Sequence, residues 1–531
     1  MRPVRKILGV LGAALFAVSF AYGAAVTGTV KGPDGAPFEG AFVQAQNTKT
    51  KILVSVLSDR QGRYRVENLP AGEYRLQVRA VGFKADSRTG LNLTAGQNAT
   101  YEFALQKGMV HWNDLSMYQG KTLFPDGKGK DILTGRCWAC HGFETRMASV
   151  VRDEEGWKDR VTYMRESMSF FLNSNPQNPF TDQMAADVTA YMNSLFGQDS
   201  ILPKSPADMP QYKDVVHPPF SDDAMNIVYV EYELPGPNRM PWSAAPDKDG
   251  NLWMPYYGRA NMIGRLNPKT AEVQEFPLPH QIPAGVHSAV PAPDGSVWID
   301  EQGTNRIGRW DPVTKEITEY KDTPIDKSMG KHTVRVAPNG QIFFSGTMSS
   351  FDPETKQFTH YGGSAYGIAL DPQGNAWYAA GNDLVRVDLK TRDVKKWTPP
   401  SGRAKENIFN RRIQVDTDGT VWFAEYNIGK LAHFDPKTEK FVEYQLPGPD
   451  PTPYALYIGK NHELWYSSEY TDVIGRLDPK TGKVLEYPFP HSENTMREFF
   501  PDSQGRMWYA TPTNNKVGYF YLAGQGELAS N

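Results

Sequence analysis

The sequence predicts a mainly β protein of three folded modules: an N-terminal β-sandwich, a small α-helical module and a C-terminal seven-bladed β-propeller. Residues 24–108 alternate apolar and polar side chains at period two, residues 109–197 carry helical stripes, and residues 227–522 repeat one motif seven times. A length of 531 residues, 40% of them hydrophobic and 22% charged, is typical of about three globular domains.

Residues 1–23 are predicted to form a secretory signal peptide. The basic stretch MRPVRK precedes an apolar run that ends at Tyr22, and Ala21 and Gly23 are small residues at a suitable cleavage site. An uncleaved anchor helix is the alternative, but the run is short for a membrane span. The sequence therefore predicts a periplasmic or otherwise exported protein with no transmembrane segment after signal cleavage.

The N-terminal module, residues 24–108, combines short alternating strands with Gly, Pro and Asp turns. Seven or so strands in about 80 residues favour a β-sandwich. The stretches VTGTVKGPDGAPFEGAFVQAQ and SDRQGRYRVENLPAGEYRLQVRAVGF resemble the carboxypeptidase regulatory-like family. The resemblance implies an accessory role in stability, spacing or partner contact.

The chain has only two cysteines, and they lie in the sequence Cys137-Trp-Ala-Cys140-His141. Cys-x-x-Cys-His is the attachment sequence of c-type haem, in which two thiols bind the porphyrin edge and the histidine is an axial iron ligand. A thioredoxin-like redox pair and a structural disulfide are the alternatives. The flanks do not show the strand and helix of a redox motif, so the sequence predicts one covalent haem c.

The flanks of the haem motif predict a small helical domain over residues 109–197. Trp157, Val161, Met164, Met168 and Phe171 form one helical stripe, and the terminal helix AADVTAYMNSL forms another, which Thr181 can cap. With the CWACH motif, this pattern resembles a class I cytochrome c.

That resemblance implies a methionine as the second axial ligand. Met168 is the predicted ligand and Met164 the alternative. The Met-Pro pair that is common in this family is absent. An open iron coordination site is therefore a further alternative.

A Pro-rich linker, residues 198–226, separates the helical domain from the repeats, and residues 523–531 form a tail. Seven turn-apolar-aromatic anchors, from Gly250-Asn-Leu-Trp253 to Gly505-Arg-Met-Trp508, recur at about 43 residues and predict a seven-bladed propeller. A solenoid is the alternative. The phase predicts that the strand near 228–234 completes the last blade beside residues 516–522. The third blade, with a spacing of 34, should be short.

The propeller resembles the streptogramin B lyase (virginiamycin B lyase) family in its Ile-Gly-Arg strands and Asp/Asn-Pro-Lys-Thr turns, such as Ile474-Gly-Arg476 with Asp478-Pro-Lys-Thr481. The family implies a histidine base and magnesium held by carboxylates near a Trp-x-x-Glu segment. Glu301 and Glu425 match such a glutamate, but neither has a histidine two residues later. The base is therefore not transferred to this chain, and Mg²⁺ or Ca²⁺ in the propeller has no support from the sequence.

The repeat phase also predicts which side chains begin the innermost strands and line the axial funnel. These residues are Trp242, His287, His332, Tyr366, Arg411, Arg412, Tyr454 and Arg497. Such a ring suits a small oxygen-rich or anionic ligand, although polar side chains that only fill a wet channel are the alternative.

The favoured function is that of an exported haem c protein in electron transfer or oxidoreduction, with the propeller binding a small polar substrate or a redox partner protein. A streptogramin lyase-type C–O elimination enzyme and a non-enzymatic binding or scaffold protein are the alternatives. The formal net charge of −3 gives no reason to expect nucleic acid as a partner.

Overall fold

The structure is a computed structural model, and it describes residues 23–173, 177–257, 260–280, 284–323 and 330–524. Apart from Gly23, the predicted signal peptide lies outside the described residues, as does most of the predicted tail. Among the described residues, no helix is long and apolar enough to cross a membrane.

The N-terminal module is β-sandwich-like, with ten strands where about seven were predicted. They are β1 (Ala24–Lys31), β2 (Phe42–Asn47), β3 (Leu53–Leu57), β4 (Arg63–Leu69), β5 (Gly72–Arg79), β6 (Phe83–Lys84), β7 (Asp86–Leu93), β8 (Asn98–Thr100), β9 (Phe103–Ala104) and β10 (Gln106–Lys107). One sheet has the order β4-β1-β8, and another contains β3-β2-β5-β7. Val26, Val43, Val66 and Leu76, from four strands of these two sheets, are fully buried and form part of one core.

The second module is helical. Its helices are α1 (Met117–Leu123), α2 (Lys130–Gly135), α3 (Glu154–Ser167), α4 (Ser169–Leu172) and α5 (Asp182–Phe196). The predicted cap is confirmed, because the Thr181 hydroxyl accepts a hydrogen bond from the backbone N–H of Met184 at the start of α5. The predicted middle helix ends at Ser167, before the last two residues of its stripe, so Met168 follows α3 and Phe171 lies in α4.

The C-terminal module is propeller-like. Its strands are β11 (Ile227–Glu233), β12 (Ala245–Pro246), β13 (Leu252–Pro255), β14 (Met262–Asn267), β15 (Glu272–Pro277), β16 (Ala289–Pro291), β17 (Val297–Glu301), β18 (Arg306–Trp310), β19 (Ile317–Lys321), β20 (Lys331–Val336), β21 (Ile342–Asp352), β22 (Gln357–Ala365), β23 (Gly367–Leu370), β24 (Asn375–Ala380), β25 (Asp383–Asp388), β26 (Val394–Trp397), β27 (Asn410–Val415), β28 (Val421–Glu425), β29 (Lys430–Asp435), β30 (Lys440–Gln445), β31 (Pro453–Ile458), β32 (Leu464–Ser468), β33 (Val473–Leu477), β34 (Val484–Pro488), β35 (Phe500–Pro501), β36 (Met507–Thr511) and β37 (Lys516–Leu522). A four-residue helix, α6 (Pro400–Arg403), interrupts them.

These strands form seven sheets, or blades, in chain order. Five have four strands each, and the third, within the described residues (which leave out 324–329), has β20, β21 and β22. The prediction of a shortened third blade is therefore confirmed. The seventh blade contains β35, β36 and β37, and β11 pairs antiparallel with β37 from Ile227 opposite Leu522 to Glu233 opposite Lys516. The predicted ring closure is thus also confirmed.

One feature was not predicted from the sequence: the sheet of the last blade continues into the sandwich. Strand β11 pairs with β37 on one side and with β3 on the other, with Tyr229 opposite Ser55 and Glu231 opposite Leu53. The result is one eight-stranded sheet with the order β35-β36-β37-β11-β3-β2-β5-β7. The N-terminal module is therefore an extension of a propeller blade.

Candidate functional site

The Cys-x-x-Cys-His segment lies in a short turn of 3₁₀-helix, Cys137–Ala139, directly after α2. Both thiols are free, Cys140 is buried and Cys137 is half-buried. Burial raises the pKa of Cys137 to about 12 and that of Cys140 to about 11. Both side chains are therefore neutral thiols in the folded protein at neutral pH.

His141 is buried beside the two cysteines. Its Nδ1 lies 2.8 Å from the carbonyl oxygen of Gly142, which can only accept a hydrogen bond, so Nδ1 carries the proton and Nε2 keeps its lone pair. Burial lowers the pKa of His141 to about 4, which keeps the ring neutral. A neutral imidazole with a free Nε2 is the form that binds iron.

Met168 lies in the same apolar cluster as Cys140. The cluster also contains Trp242 and Tyr257 of the propeller, and Met164 packs against it as a partly buried neighbour. The structure therefore brings both predicted methionine ligands close to the cysteine segment. Two thiols, one imidazole nitrogen and a thioether form a donor set that could hold a covalently attached haem.

The propeller holds this segment by direct hydrogen bonds. The Arg497 guanidinium donates to the carbonyl oxygens of Ala139 and Cys140, at 3.2 and 3.1 Å. The Tyr470 hydroxyl donates to the carbonyl oxygen of Thr134 in α2, at 3.0 Å. The cysteine segment thus lies against the propeller.

All eight residues predicted to line the funnel are buried, and they lie at the start of the innermost strand of their blades or up to three residues before it. The set is Trp242, His287, His332, Tyr366, Arg411, Arg412, Tyr454 and Arg497. Their rings and guanidinium groups contact one another across the axis. The structure therefore brings the predicted set together, whereas its role as a ligand site stays a prediction.

One part of this cluster consists of aromatic rings around Arg411. The Arg411 guanidinium carbon lies 4.1 Å from the ring centre of Tyr426, 4.5 Å from that of Phe409 and 4.6 Å from those of Tyr366 and Tyr454. Its Nη1 donates to the Tyr454 hydroxyl at 3.0 Å, and the Tyr454 and Tyr366 hydroxyls are hydrogen-bonded to each other. Arg411 is thus held in an aromatic cage.

The other two arginines have carboxylate partners. Arg497 forms an ion pair with Glu469 at 2.8 Å, and both side chains are fully buried. Arg412 lies 3.5 Å from Glu498 and donates to the backbone carbonyl of Arg497 at 2.8 Å. All three guanidinium groups lie around Tyr454, with the carbons of Arg411, Arg412 and Arg497 at 4.6, 5.6 and 4.4 Å from its ring centre.

The charge states of the funnel residues follow from their burial and from the three neighbouring arginines. Burial lowers the pKa of His287 and His332 well below the usual histidine value, so both rings are neutral. Burial also raises the pKa of Asp300, which accepts a hydrogen bond from the backbone N–H of His287, well above its ordinary value. For Tyr454 burial opposes ionisation, yet Arg497, Arg411 and Arg412 hold its pKa below the usual tyrosine value.

Sequence reasoning missed several members of the site. Tyr426 and Phe409 complete the cage around Arg411, Glu498 pairs with Arg412, and Tyr257 stacks on Trp242 with ring centres 4.2 Å apart. Tyr257 and Tyr426 each lie four residues after the tryptophan of the anchor, Trp253 or Trp422, so the repeat phase could have identified these two.

Glu301 and Glu425, the two glutamates that match the lyase pattern, do not join this cluster. Glu301 accepts hydrogen bonds from the Thr304 hydroxyl and lies 2.9 Å from Nε2 of His280, which is also 3.4 Å from Glu319. One ligand atom from each of His280, Glu301 and Glu319 lies within 4.8 Å of the others. These three side chains could hold a divalent cation between the first two blades.

Comparisons with known proteins agree with this architecture. The carboxypeptidase regulatory-like domain model matches residues 25–106, and the virginiamycin B lyase family model matches residues 353–529. A search of curated proteins gives no match.

Among solved structures, a streptogramin B lyase is 24% identical with a TM-score of 0.51, covering 57% of this chain and 100% of its own. Selenomethionine-substituted virginiamycin B lyase from Staphylococcus aureus is 23% identical with a TM-score of 0.50, covering 56% of this chain and 99% of its own. At these identities the likeness shows the fold alone. The chain thus contains a carboxypeptidase regulatory-like domain and a virginiamycin B lyase-like propeller.

Proposed function

We propose that the protein is an exported haem c protein with a role in electron transfer or oxidoreduction. The observation that carries the proposal is the buried Cys137-Trp-Ala-Cys140-His141 segment, with two free thiols and an imidazole whose Nε2 is available. One haem would be attached through Cys137 and Cys140, with His141 as one axial ligand. Met168 is the proposed second ligand, and Met164 is the alternative.

In this proposal residues 109–197 form a class I cytochrome c domain, and the propeller of residues 227–522 binds a small polar substrate or a redox partner protein. Bound haem would accept or deliver one electron at a time. Arg497 would fix the backbone of the attachment segment, and Trp242 and Tyr257 would exclude water beside Cys140. The burial of Cys140 beside the funnel residue Trp242 supports a functional connection between the helical module and the propeller.

The test is expression with the native signal peptide in a host that matures c-type cytochromes. We expect the purified protein to gain the mass of one haem and to keep its haem colour after denaturation in detergent. The double variant C137A/C140A should lose both signals while the propeller still folds, as followed by circular dichroism. A wild-type protein that carries a Cys137–Cys140 disulfide and no haem would refute the proposal.

A second candidate function is elimination at a C–O bond, as in the streptogramin lyases. The comparisons support the propeller fold of this reading, and the Tyr454–Arg411 pair offers a proton acceptor in place of the missing histidine base. Any Mg²⁺ would be held away from this pair, by His280, Glu301 and Glu319.

Turnover of a streptogramin B-type cyclic ester tests this candidate. Activity that is lost with EDTA and restored by Mg²⁺ would support it. Full activity after EDTA would exclude its metal-dependent form. Tight ligand binding without turnover would instead favour a non-enzymatic binding protein.

A further inference from the structure

The charges at the centre of the ring do not balance. Three buried arginines, Arg411, Arg412 and Arg497, are 6%, 2% and 1% exposed, and Glu469 and Glu498 pair with two of them. Within the described residues no carboxylate forms an ion pair with Arg411. An unpaired buried charge is strongly destabilising, so a further negative group is expected there.

Buried guanidinium nitrogens without hydrogen-bond partners in the described part of the chain lie in the same part of the funnel. Nε of Arg411 and Nε of Arg497 are buried and have no hydrogen-bond partner among the described residues. Because buried donors in folded proteins are nearly always paired, the Arg411 donor indicates an acceptor that the described residues do not supply, whereas Arg497 lies beside a Glu469 oxygen that has no hydrogen-bond partner either. Both donors belong to the guanidinium groups beside Tyr454.

The cage around Arg411 indicates what kind of acceptor fits. A guanidinium presents parallel N–H donors that match the two oxygens of a carboxylate. The faces of Tyr366, Phe409, Tyr426 and Tyr454 surround this guanidinium, so a ligand with an apolar body next to its charge would find matching surfaces. The site therefore suits an organic carboxylate better than a fully hydrated inorganic anion.

We propose that the funnel contains a carboxylate-binding site formed by Arg411, Arg497 and the hydroxyl of Tyr454. This inference rests on the proposed function of the funnel as a binding site and names the ligand class. The carboxylate has two chemical sources: a free small molecule, or a propionate of haem attached at Cys137 and Cys140. The Arg497 hydrogen bonds to the backbone of Ala139 and Cys140 place the arginines next to that attachment segment.

The experiment uses the purified full-length holoprotein, with benzoate as the probe and benzamide as its uncharged isostere, both titrated by calorimetry. If the source is a free carboxylate, the wild type should bind benzoate and prefer it to benzamide. R411Q should weaken benzoate binding roughly ten- to hundredfold, the loss expected for one charge-assisted hydrogen bond. R411K keeps the positive charge but loses the paired N–H donors of the guanidinium, so it should retain part of the benzoate affinity.

The second arm measures the haem reduction potential by optical titration. If a propionate occupies the site, the wild type should not bind benzoate, and R411Q should lower the potential because a positive charge near the iron is removed. R476Q is the matched control for both arms, because Arg476 lies on β33 over Trp465, outside the ring. It should change neither quantity.

The proposal is overturned if the wild type binds benzoate and benzamide with equal affinity. It is also overturned if the wild type binds neither compound and R411Q has the same haem reduction potential as R476Q. It is also overturned if R411Q keeps full benzoate affinity. Circular dichroism of each variant confirms that it is folded. If R411Q is unfolded, the benzoate affinity and the reduction potential of R411K are used in its place. Haem content is measured separately, so a protein without haem would refute the haem proposal while the benzoate titration still decides the site.

Discussion

Met168 lies beside the cysteine segment, but contacts with the propeller, and not the predicted helical stripe, account for its position. The sequence placed its side chain on the face of the middle helix, but α3 ends at Ser167 and Met168 occupies the position after it. Its burial against Cys140, Trp242 and Tyr257 depends on the propeller, which no helical pattern describes. The identity of the ligand therefore depends on packing between modules.

We expect M168L to remove the proposed iron ligand with little change in side-chain volume. The holoprotein should change from a six-coordinate low-spin spectrum to a five-coordinate or high-spin one, as measured by resonance Raman and electron paramagnetic resonance. M164L is the matched control and should keep the wild-type spectrum. The reverse pattern would transfer the role to Met164.

Glu425 should make the stability of the fifth blade depend on pH. Burial, with a further contribution from Glu443, raises the pKa of Glu425 to about 8. A carboxyl group whose pKa is raised by folding stabilises the protein fully below its unfolded pKa of about 4.5, and this contribution disappears as pH rises through about 8.

We therefore expect the free energy of unfolding to fall between pH 5 and 8 by roughly 2–5 kcal/mol from this group alone. E425Q should flatten that fall, as measured by urea denaturation across the range. E272Q, which changes an exposed glutamate of β15, is the control and should keep the wild-type slope. An unchanged slope in E425Q would contradict the prediction.

At the scale of strands, the glycine of the Ile-Gly-Arg motif lies where a larger residue would clash with a neighbouring side chain. Gly475 of β33 lies opposite Tyr466 of β32, and a Cβ added at Gly475 would lie 2.0 Å from the tyrosine ring. A Cβ added at Gly264 would lie 2.3 Å from the Tyr256 hydroxyl, although the strand partner of Gly264 is Met254. At Gly308 the crowding side chain is Ile299, so the glycine of the motif leaves space for a neighbouring side chain that differs between blades.

We expect G475A to destabilise the protein by about 1–3 kcal/mol, because the added methyl group forces Tyr466 or the strand to move. Thermal unfolding measures the loss. G135A is the control, since a Cβ at Gly135 has no described heavy atom within 4 Å. Equal stability of the two variants would show that the tyrosine ring moves at no cost.

The elements that the sequence predicted best are those with a repeated signal. The seven anchors established the phase of the inner strands, and the eight residues at that phase contact one another, although their role as a ligand site stays a prediction. Phe409 and Glu498 were missed although each lies within two residues of a predicted residue, Arg411 or Arg497. The repeat phase marks one or two positions of each inner segment, and the direction of the flanking side chains depends on local backbone geometry that the repeat does not encode.

At the scale of the whole molecule, the eight-stranded sheet joins the sandwich to the propeller. No local pattern in β3 predicts its pairing with β11, because either edge of a short alternating strand can accept a neighbour. Phe42 of the sandwich packs against the core that contains Tyr229, Phe489 and Tyr509 of the propeller. The two modules therefore share both hydrogen bonds and apolar contacts.

We expect the sandwich and the propeller to unfold in a single calorimetric transition, and F42A to lower the temperature of that transition. The lost packing should cost about 1–3 kcal/mol, because Phe42 is only half-buried. F38A is the control for the sandwich alone, since Phe38 packs against Phe83 within that module. Two separate transitions, with only the smaller one sensitive to F42A, would contradict the coupling.

The paired position of β11 also determines the order of events during synthesis. The sandwich strands and β11 leave the ribosome first, whereas the partner of β11 on its other side, β37, is separated from it by nearly the whole propeller. Until residues 516–522 arrive, the growing sheet ends in an unpaired strand that can template the addition of a foreign one. Chains interrupted before that last strand should therefore be the ones that require chaperones or form aggregates.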